Sequence, residues 1–345
     1  ADIKYVAPSI EVKWIWACAV ERAVADHEAY RKCRALDWSY GALPACPKFD
    51  NADVLNSSGW DHRYPSCDGS QQSPISILFS QSEYKRFEPM QFFNYDSRLQ
   101  LDVEIFGTTV FFYPFGMDLG VFGGPLYVQY SFFMGTLHFG MEPHSGSEHV
   151  VENQRYAAEL QLVHTTEMAS DNDCLQEANG LLVLVILLEE VADNNQELLP
   201  FLYALQELSA QHSTHTIPEF PISSLLPRST MEYYIYPGSL SFPPCTERVI
   251  NVVFKRTVPI GQKQLEELRK LRWNLGSDAS CFGLVADNVR AIPAGAGIQS
   301  KRTVFRSFLS VNGATSSSES SRAAVLAAVI AVAFSQASLN HHAPI

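Results

Sequence analysis

Positive charge is scarce in this chain. Its 345 residues carry 25 Lys and Arg against 37 Asp and Glu, a formal net charge of −12, which argues against nucleic acid and sulfated polysaccharide as partners because polyanions need a basic face. Apolar runs of membrane-spanning length are missing too. The longest, AAVLAAVIAVAF (Ala323–Phe334), has 12 uninterrupted apolar residues, short of the roughly 20 a spanning helix needs. Extended to Leu339 it takes in Ser335, Gln336 and Ser338, which a helix packed against other helices tolerates. The expectation is therefore a C-terminal apolar helix, membrane-embedded or buried against protein. It does not read as a lipid-anchor signal, since the polar tail SQASLNHHAPI follows it. No signal peptide opens the chain, and a start at Ala1 suits a mature product whose targeting segment has been removed. Internal repeats are absent.

The length suits one large domain with appendages. Residues 1–36 read as a helical extension: in SIEVKWIWACAVERAVADHEAYRKCRAL, Ile15, Ala19, Val20, Ala23 and Val24 share one side. Trp14 and Trp16 are unusual on such an extension and are expected either to pack back on the domain or to dock on a partner or membrane interface. Residues 37–308 form the domain. There, LQLDVEIF and TTVFFYPF alternate as strands do, and the leucines of QELLPFLYALQEL (196–208) and GQKQLEELRKLRWNL (261–275) recur at helical spacing. Residues 309–322 read as a polar linker and 323–345 as the apolar helix and its tail. Asn56 lies in an NSS sequon, an acceptor only in the secretory pathway. Cysteines stand at 18, 33, 46, 67, 174, 245 and 281, and spacing alone does not fix their connectivity.

The most telling stretch is TLHFGMEPHSGSEHVVENQRYAAELQLVH, Thr136 to His164. With WSYG (38–41), SCDGSQQSPISI (66–77), FGGPL (122–126), GLLVLVILLEE (180–190) and SSLLPRSTMEYYIYPGSLSFPPCTERV (223–249), it resembles the α-class carbonic anhydrases over most of the chain, in order and nearly without gaps. The resemblance implies an α+β, mainly β fold: a twisted, mostly antiparallel sheet of about ten strands with surface helices, here extended by helices at both ends.

In that family three histidines bind zinc, two from an H-x-H on one strand and one from AELH on its neighbour. The matching positions here hold Thr136, His138 and Gln161. Alternate strand residues face the same way, so an H-x-H offers two imidazoles to one ion, and a catalytic zinc needs three N, S or carboxylate ligands plus an open position. Threonine and glutamine are poor ligands, and without the metal nothing lowers the pKa of a bound water to about 7. The resemblance therefore implies a catalytically inactive carbonic-anhydrase-related protein with no cofactor.

Residue by residue, the implied scaffold survives in Glu148, His149, Glu159 and Tyr236, the hydrogen-bonded shell behind the metal. The working positions do not. Ser241 stands where a threonine orients the zinc-bound hydroxide, followed by the bulky Phe242; Thr108 after Gly107 replaces the proton-shuttle histidine; Asn251 replaces the tryptophan flanking the substrate pocket. Glu148, Ser241 and Thr108 are thus vestiges of a catalytic set. The alternative is an active enzyme with a zinc site rebuilt from His144, His149 and His164, although His164 differs in parity from Gln161 and should face away from it.

Cys67 and Cys245 match the pair bridged in secreted and membrane-bound members, which implies a disulfide and an oxidising compartment. Arg322 before the apolar run would favour a cytosolic or stromal domain, a weaker signal than the bridge. The functional expectation is a non-catalytic interaction or structural subunit of a membrane-associated assembly. Its partners would be other protein subunits, themselves membrane proteins, in an organelle lumen such as the thylakoid or in the secretory or extracellular space.

Overall fold

The computed structural model describes residues 57–106, 108–166, 179–211, 214–274, 282–293 and 303–308. The 1–36 extension with Trp14 and Trp16, the WSYG segment, Asn56, Gly107, the cysteines at 18, 33, 46, 174 and 281, and everything from 309 onward, including Arg322 and Ala323–Phe334, lie outside the described residues.

Two short 3-10 turns, Trp60–His62 and Pro65–Asp68, precede β1 (Ser76–Ile77), β2 (Glu83–Tyr84) and β3 (Met90–Phe93). The alternating stretches then become β4 (Leu99–Phe106) and β5 (Thr109–Phe115), followed by β6 (Gly120–Gly123), β7 (Leu126–Phe139), β8 (Val150–Val151) and β9 (Ala158–Thr166). The continuous apolar run becomes β10 (Leu181–Val191), buried on both faces as such runs usually are. After α1 (Leu199–Gln211) come β11 (Thr214–Phe220), β12 (Tyr233–Ser239), β13 (Glu247–Phe254) and β14 (Val258–Gly261). The described chain ends with α2 (Gln262–Leu268), β15 (Arg272–Asn274), β16 (Phe282–Leu284) and β17 (Phe305–Arg306).

Ten strands form one continuous path in the order β11-β4-β5-β7-β9-β10-β13-β12-β17-β2, with β14 beside β10, β6 beside β7 and β3 beside β6. Its pairings are antiparallel except β10 with β13 and β14, and β17 with β2. This is the mainly β architecture that the resemblance implied.

Each strand presents two faces. Toward the helices point Phe112 of β5, Leu137 and Phe139 of β7, Leu160 and Leu162 of β9 and Leu184 of β10, packed against Phe201 and Leu205 of α1 and Leu265 of α2. Burying each such side chain contributes about 1.5–3 kcal/mol. Phe112 stands edge-on to Phe201, centroids 5.2 Å apart. Its ring also covers Gly135, where a Cβ would come within 2.0 Å of it, so only glycine fits this place in β7. On the other face, Phe111, Tyr113, Val163, Val185 and Tyr236 pack with Trp60, Leu240, Phe242 and the cysteines of the bridge.

One expected helix is shorter than its pattern. Leu265, Leu268 and Leu271 are all buried at helical spacing, yet α2 stops at Leu268 and the chain re-enters as β15. Trp273 pairs there with Gly283 of β16 and lies so close that a Cβ on Gly283 would meet the indole at 2.7 Å. Burial of the tryptophan against a bare backbone outweighs the helical propensity of the preceding residues. No helix among the described residues is long and apolar enough to cross a membrane.

Candidate functional site

Register brings together the three positions that the resemblance matches to zinc ligands. Thr136 of β7 lies directly opposite Gln161 of β9, and His138 opposite Glu159; Phe111 flanks Thr136 from β5 and Val185 flanks Gln161 from β10. Thr136, His138 and Gln161 are 0%, 0% and 2% exposed, so every polar atom there must find a partner inside the protein.

His138 finds two. Its Nδ1 lies 2.8 Å from the Asn288 carbonyl, which can only accept, so Nδ1 carries hydrogen. In the neutral ring Nε2 then accepts from the Thr136 hydroxyl at 2.9 Å. Asn288 is itself pinned to β7: the Phe139 backbone N–H donates to its Oδ1 at 2.9 Å, and its Nδ2 donates to the Leu137 carbonyl at 2.9 Å.

Gln161 is used up in the same way. Its amide nitrogen donates to Glu148 Oε2 at 2.7 Å and to Glu159 Oε1 at 2.9 Å, while its Oε1 accepts from the Ser241 hydroxyl at 3.1 Å. Both amide hydrogens and the carbonyl are satisfied. Carboxylates only accept, so the amide cannot be reversed without losing these bonds.

The shell behind is continuous. Glu159 accepts from the His149 backbone N–H at 2.8 Å and sits 2.9 Å from His149 Nδ1. His149 Nε2 meets the Tyr236 hydroxyl at 2.6 Å, which meets Ser73 Oγ at 2.9 Å. Burial pushes the Glu159 carboxyl up, but the charge and hydrogen bonds of His149 outweigh it, and the net direction is below the ordinary carboxylate value. Glu148 Oε1 accepts from the Arg290 backbone N–H at 2.8 Å and lies 3.6 Å from His138 Nδ1. The Arg290 guanidinium donates to Gln72 Oε1, the Ser73 carbonyl and the Cys67 carbonyl at 2.9, 2.8 and 3.0 Å, tying the site to the bridge.

That bridge is formed. Cys67 and Cys245 are joined with Cα atoms 4.9 Å apart across 178 residues. It anchors the loop carrying Ser241 and Phe242. Phe242 is buried and meets Phe111 edge-on, ring centroids 6.2 Å apart, and Phe111 lies opposite Thr136, so two aromatic side chains lie beside the Thr136–Gln161 pair. Asn251 is buried and donates weakly to the Ser239 and Val249 carbonyls. Thr108 sits in the turn between β4 and β5.

These residues do not fit a zinc ion. The three positions offer a hydroxyl, an imidazole with both nitrogens engaged, and an amide held by two carboxylates, where zinc takes nitrogen, thiolate or carboxylate ligands. Among the described residues no group of three or more His, Cys, Asp or Glu is gathered to hold a metal. Nor do His144, His149 and His164 converge. His144 is exposed in the loop after β7, His149 belongs to the Glu159 shell, and His164 lies on the helix-facing side of β9 as its parity requires. There it donates from Nδ1 to the Leu162 carbonyl at 2.9 Å and accepts from the Tyr95 hydroxyl. Burial pushes His164 down to about 3 and Tyr95 well up, leaving a neutral pair.

Sequence reasoning named Thr136, His138, Gln161, Glu148, His149, Glu159 and Tyr236, which the structure gathers in one network, but missed Asn288, Arg290, Phe111 and Ser73. Asn288 and Arg290 act through their backbone from 150 and 142 residues away, so no local spacing marks them. The nearest signal is the Asp-Asn pair at 287–288, a turn-former whose Asp287 takes a positive φ of 63°.

A family model described as eukaryotic-type carbonic anhydrase matches residues 55–308. Carbonic anhydrase 4 of Mus musculus is 31% identical over 271 residues, covering 76% of this chain and 84% of its own length. Carbonic anhydrase 1 of the same species is 31% identical over 242 residues, covering 69% and 87%, and its carbonic anhydrase 6 is 31% identical over 237 residues, covering 66% and 71%. With its sheet, its Glu148–Glu159–His149–Tyr236 shell and a match across most of its length, this chain belongs to the eukaryotic-type carbonic anhydrase family.

Proposed function

We propose that this protein is a non-catalytic member of the family, a pseudoenzyme whose domain serves as an interaction or structural subunit in an oxidising, non-cytosolic compartment. One observation carries the reading: the Gln161 amide occupies the third ligand position with all its hydrogen-bonding capacity spent on Glu148, Glu159 and Ser241. A group so held costs about 1–3 kcal/mol per broken bond to turn toward anything else. The fold thus spends its former metal row on internal cohesion. Support for the compartment comes from the Cys67–Cys245 bridge, since disulfides persist where the surroundings are oxidising.

The role in an assembly rests on the appendages. Trp14 and Trp16 at one end and Ala323–Phe334 at the other carry apolar side chains that would favour aggregation if left in water. The proposal assigns them to membrane-associated protein partners. Deleting the C-terminal run then releases a soluble, folded domain, whereas the full chain fractionates with membranes or a large complex; a full chain that is monomeric without detergent overturns this part.

The pseudoenzyme reading is tested by elemental analysis of purified full-length protein together with a carbon dioxide hydration assay. No stoichiometric zinc and no hydration are expected, and one zinc per chain with sulfonamide-sensitive activity would sink the reading. Replacing Thr136→His and Gln161→His together should restore metal binding, because Glu148 and Glu159 remain to orient the new imidazoles.

A further inference from the structure

We propose that a cavity lined by the β13–β14 turn, the Gln196–Leu198 turn that leads into α1 and the Leu226–Ser229 segment binds a small zwitterion, a free amino acid or dipeptide with an apolar side chain. The cavity shares no residue with the network around Gln161, so the proposal stands apart from the pseudoenzyme reading. Its volume is about 410 Å³, within the range of small-molecule sites.

Two guanidinium groups line it from separate parts of the chain. Arg256 sits in the β13–β14 turn, where its Nε donates to Glu232 Oε2 at 2.9 Å and Lys255 donates to the other carboxylate oxygen at 3.3 Å. The bond at Nε orients the guanidinium and leaves both terminal nitrogens without a partner among the described residues. Arg228, before β12, has no hydrogen bond or ion pair among the described residues. Arginine presents its donors as a planar fork that matches a carboxylate. In a chain where acids outnumber bases by 37 to 25, two forks with unused donors in one cavity mark a place that draws an anionic group.

The same cavity holds an acid. The Glu197 carboxylate lines it and pairs with neither arginine among the described residues. Opposite charges that share a cavity without closing on each other leave both signs to a ligand, whose carboxylate meets the guanidinium groups and whose ammonium meets Glu197. A simple anion would use only half of the site. Apolar wall comes from Leu226, packed against the helix-side core, and from Val258, which is buried; it suits an apolar side chain. The acid is held in place beforehand by Asn195. Its Nδ2 donates to the Pro259 carbonyl at 2.9 Å, its Oδ1 accepts from the Glu197 backbone N–H at 3.0 Å, and its own backbone N–H donates to Gln264 Oε1 at 2.9 Å. These bonds tie the turn bearing Glu197 to β14 and α2, and a wall fixed before the ligand arrives lowers the cost of binding it.

The test is calorimetric titration of the purified full-length protein with leucine and with leucyl-leucine. At least one should bind, and the tighter of the two sizes the ligand. Blocking either end should weaken binding about tenfold: N-acetylation removes the charge that Glu197 meets, and C-terminal amidation removes the one that the arginines meet. Arg228→Gln should weaken the free ligand about tenfold yet leave the amidated one unchanged, and Glu197→Gln should do the same for free against N-acetylated ligand. A merely structural loss would weaken free and blocked ligands alike, and would overturn the assignment. Both side chains are exposed, so the variants should keep the wild-type denaturant midpoint. Absence of binding by either probe at millimolar concentration overturns the proposal, as does equal binding of free and blocked ligands. Inorganic phosphate binding as tightly as the free ligand also overturns it, because the cavity would then be an anion site only.

Discussion

Leu137, Phe139, Leu160 and Leu162 face the helices from β7 and β9, while Thr136, His138, Glu159 and Gln161, one position away on the same strands, face the Cys67–Cys245 loop. Both rows are shut off from solvent, yet they are held by different means. The apolar row gains from area removed from water and from contacts that any side chain of similar shape could supply. In the polar row each donor is matched to a named acceptor, from Thr136 through His138 to Asn288 and from Ser241 through Gln161 to the two glutamates. Burial is thus the same on both faces, but the tolerance for change is not: one face specifies volume, the other specifies atoms.

The sharpest way to break this contrast is Gln161→Glu, which swaps an amide donating to two carboxylates for a third acceptor between them. A buried charge left without its partner costs about 3–5 kcal/mol, and the upper end or beyond is expected here; a variant unfolding at the wild-type denaturant midpoint would show that the network is not specific. On the apolar face Phe112→Ala should cost about 4 kcal/mol through the cavity left beside Phe132 and Phe201, read from the same denaturation curves. Removing the bridge with Cys67→Ser and Cys245→Ser should cost about 3 kcal/mol, within the range for native disulfides, and should loosen the loop carrying Ser241. Unchanged stability would mean that the loop is held by its hydrogen bonds alone.

Acid probes the buried histidine placed among the apolar row. His164 is held at about 3 in the fold against about 6.5 in an unfolded chain. Below pH 6.5 the unfolded state therefore takes up a proton that the folded state refuses, and stability falls as pH falls toward 3. At about 1.4 kcal/mol per unit, lowering the pH from 7 to 5 costs about 2 kcal/mol from this residue. The depressed Glu159 adds to the loss further down, as pH falls through its folded value and its pairing with His149 is discharged. His164→Gln should flatten the slope between pH 7 and 5, and an unaltered slope would count against the assignment. The smallest effect is expected from Leu162→Met, under about 1.5 kcal/mol, a volume-conserving change on the tolerant face.

Much of this was legible in the residues. Alternation in LQLDVEIF and TTVFFYPF marked β4 and β5, the order of the motifs marked the family and its sheet, and parity alone separated His164 from Gln161. The helix expected over 261–275 was over-extended because leucine spacing continues past Leu268, and nothing local reveals that Trp273 must bury against Gly283. In the site, the residue types at 136, 138 and 161 could be read, but not how they are satisfied.

What the sequence by itself determined is the identity of the groups on each strand face, because side-chain direction in a strand depends only on counting by two and the register follows from the buried pattern. What only the tertiary structure decided is how those groups are satisfied. Asn288 reaches His138 and Arg290 reaches Glu148 through backbone atoms that no side-chain pattern encodes. The Gln161 amide closes the site because two glutamates and a serine from three separate segments converge on it. A hydrogen bond requires its partners within about 3 Å and in line, a condition set by the folded chain in space and not by distance along it.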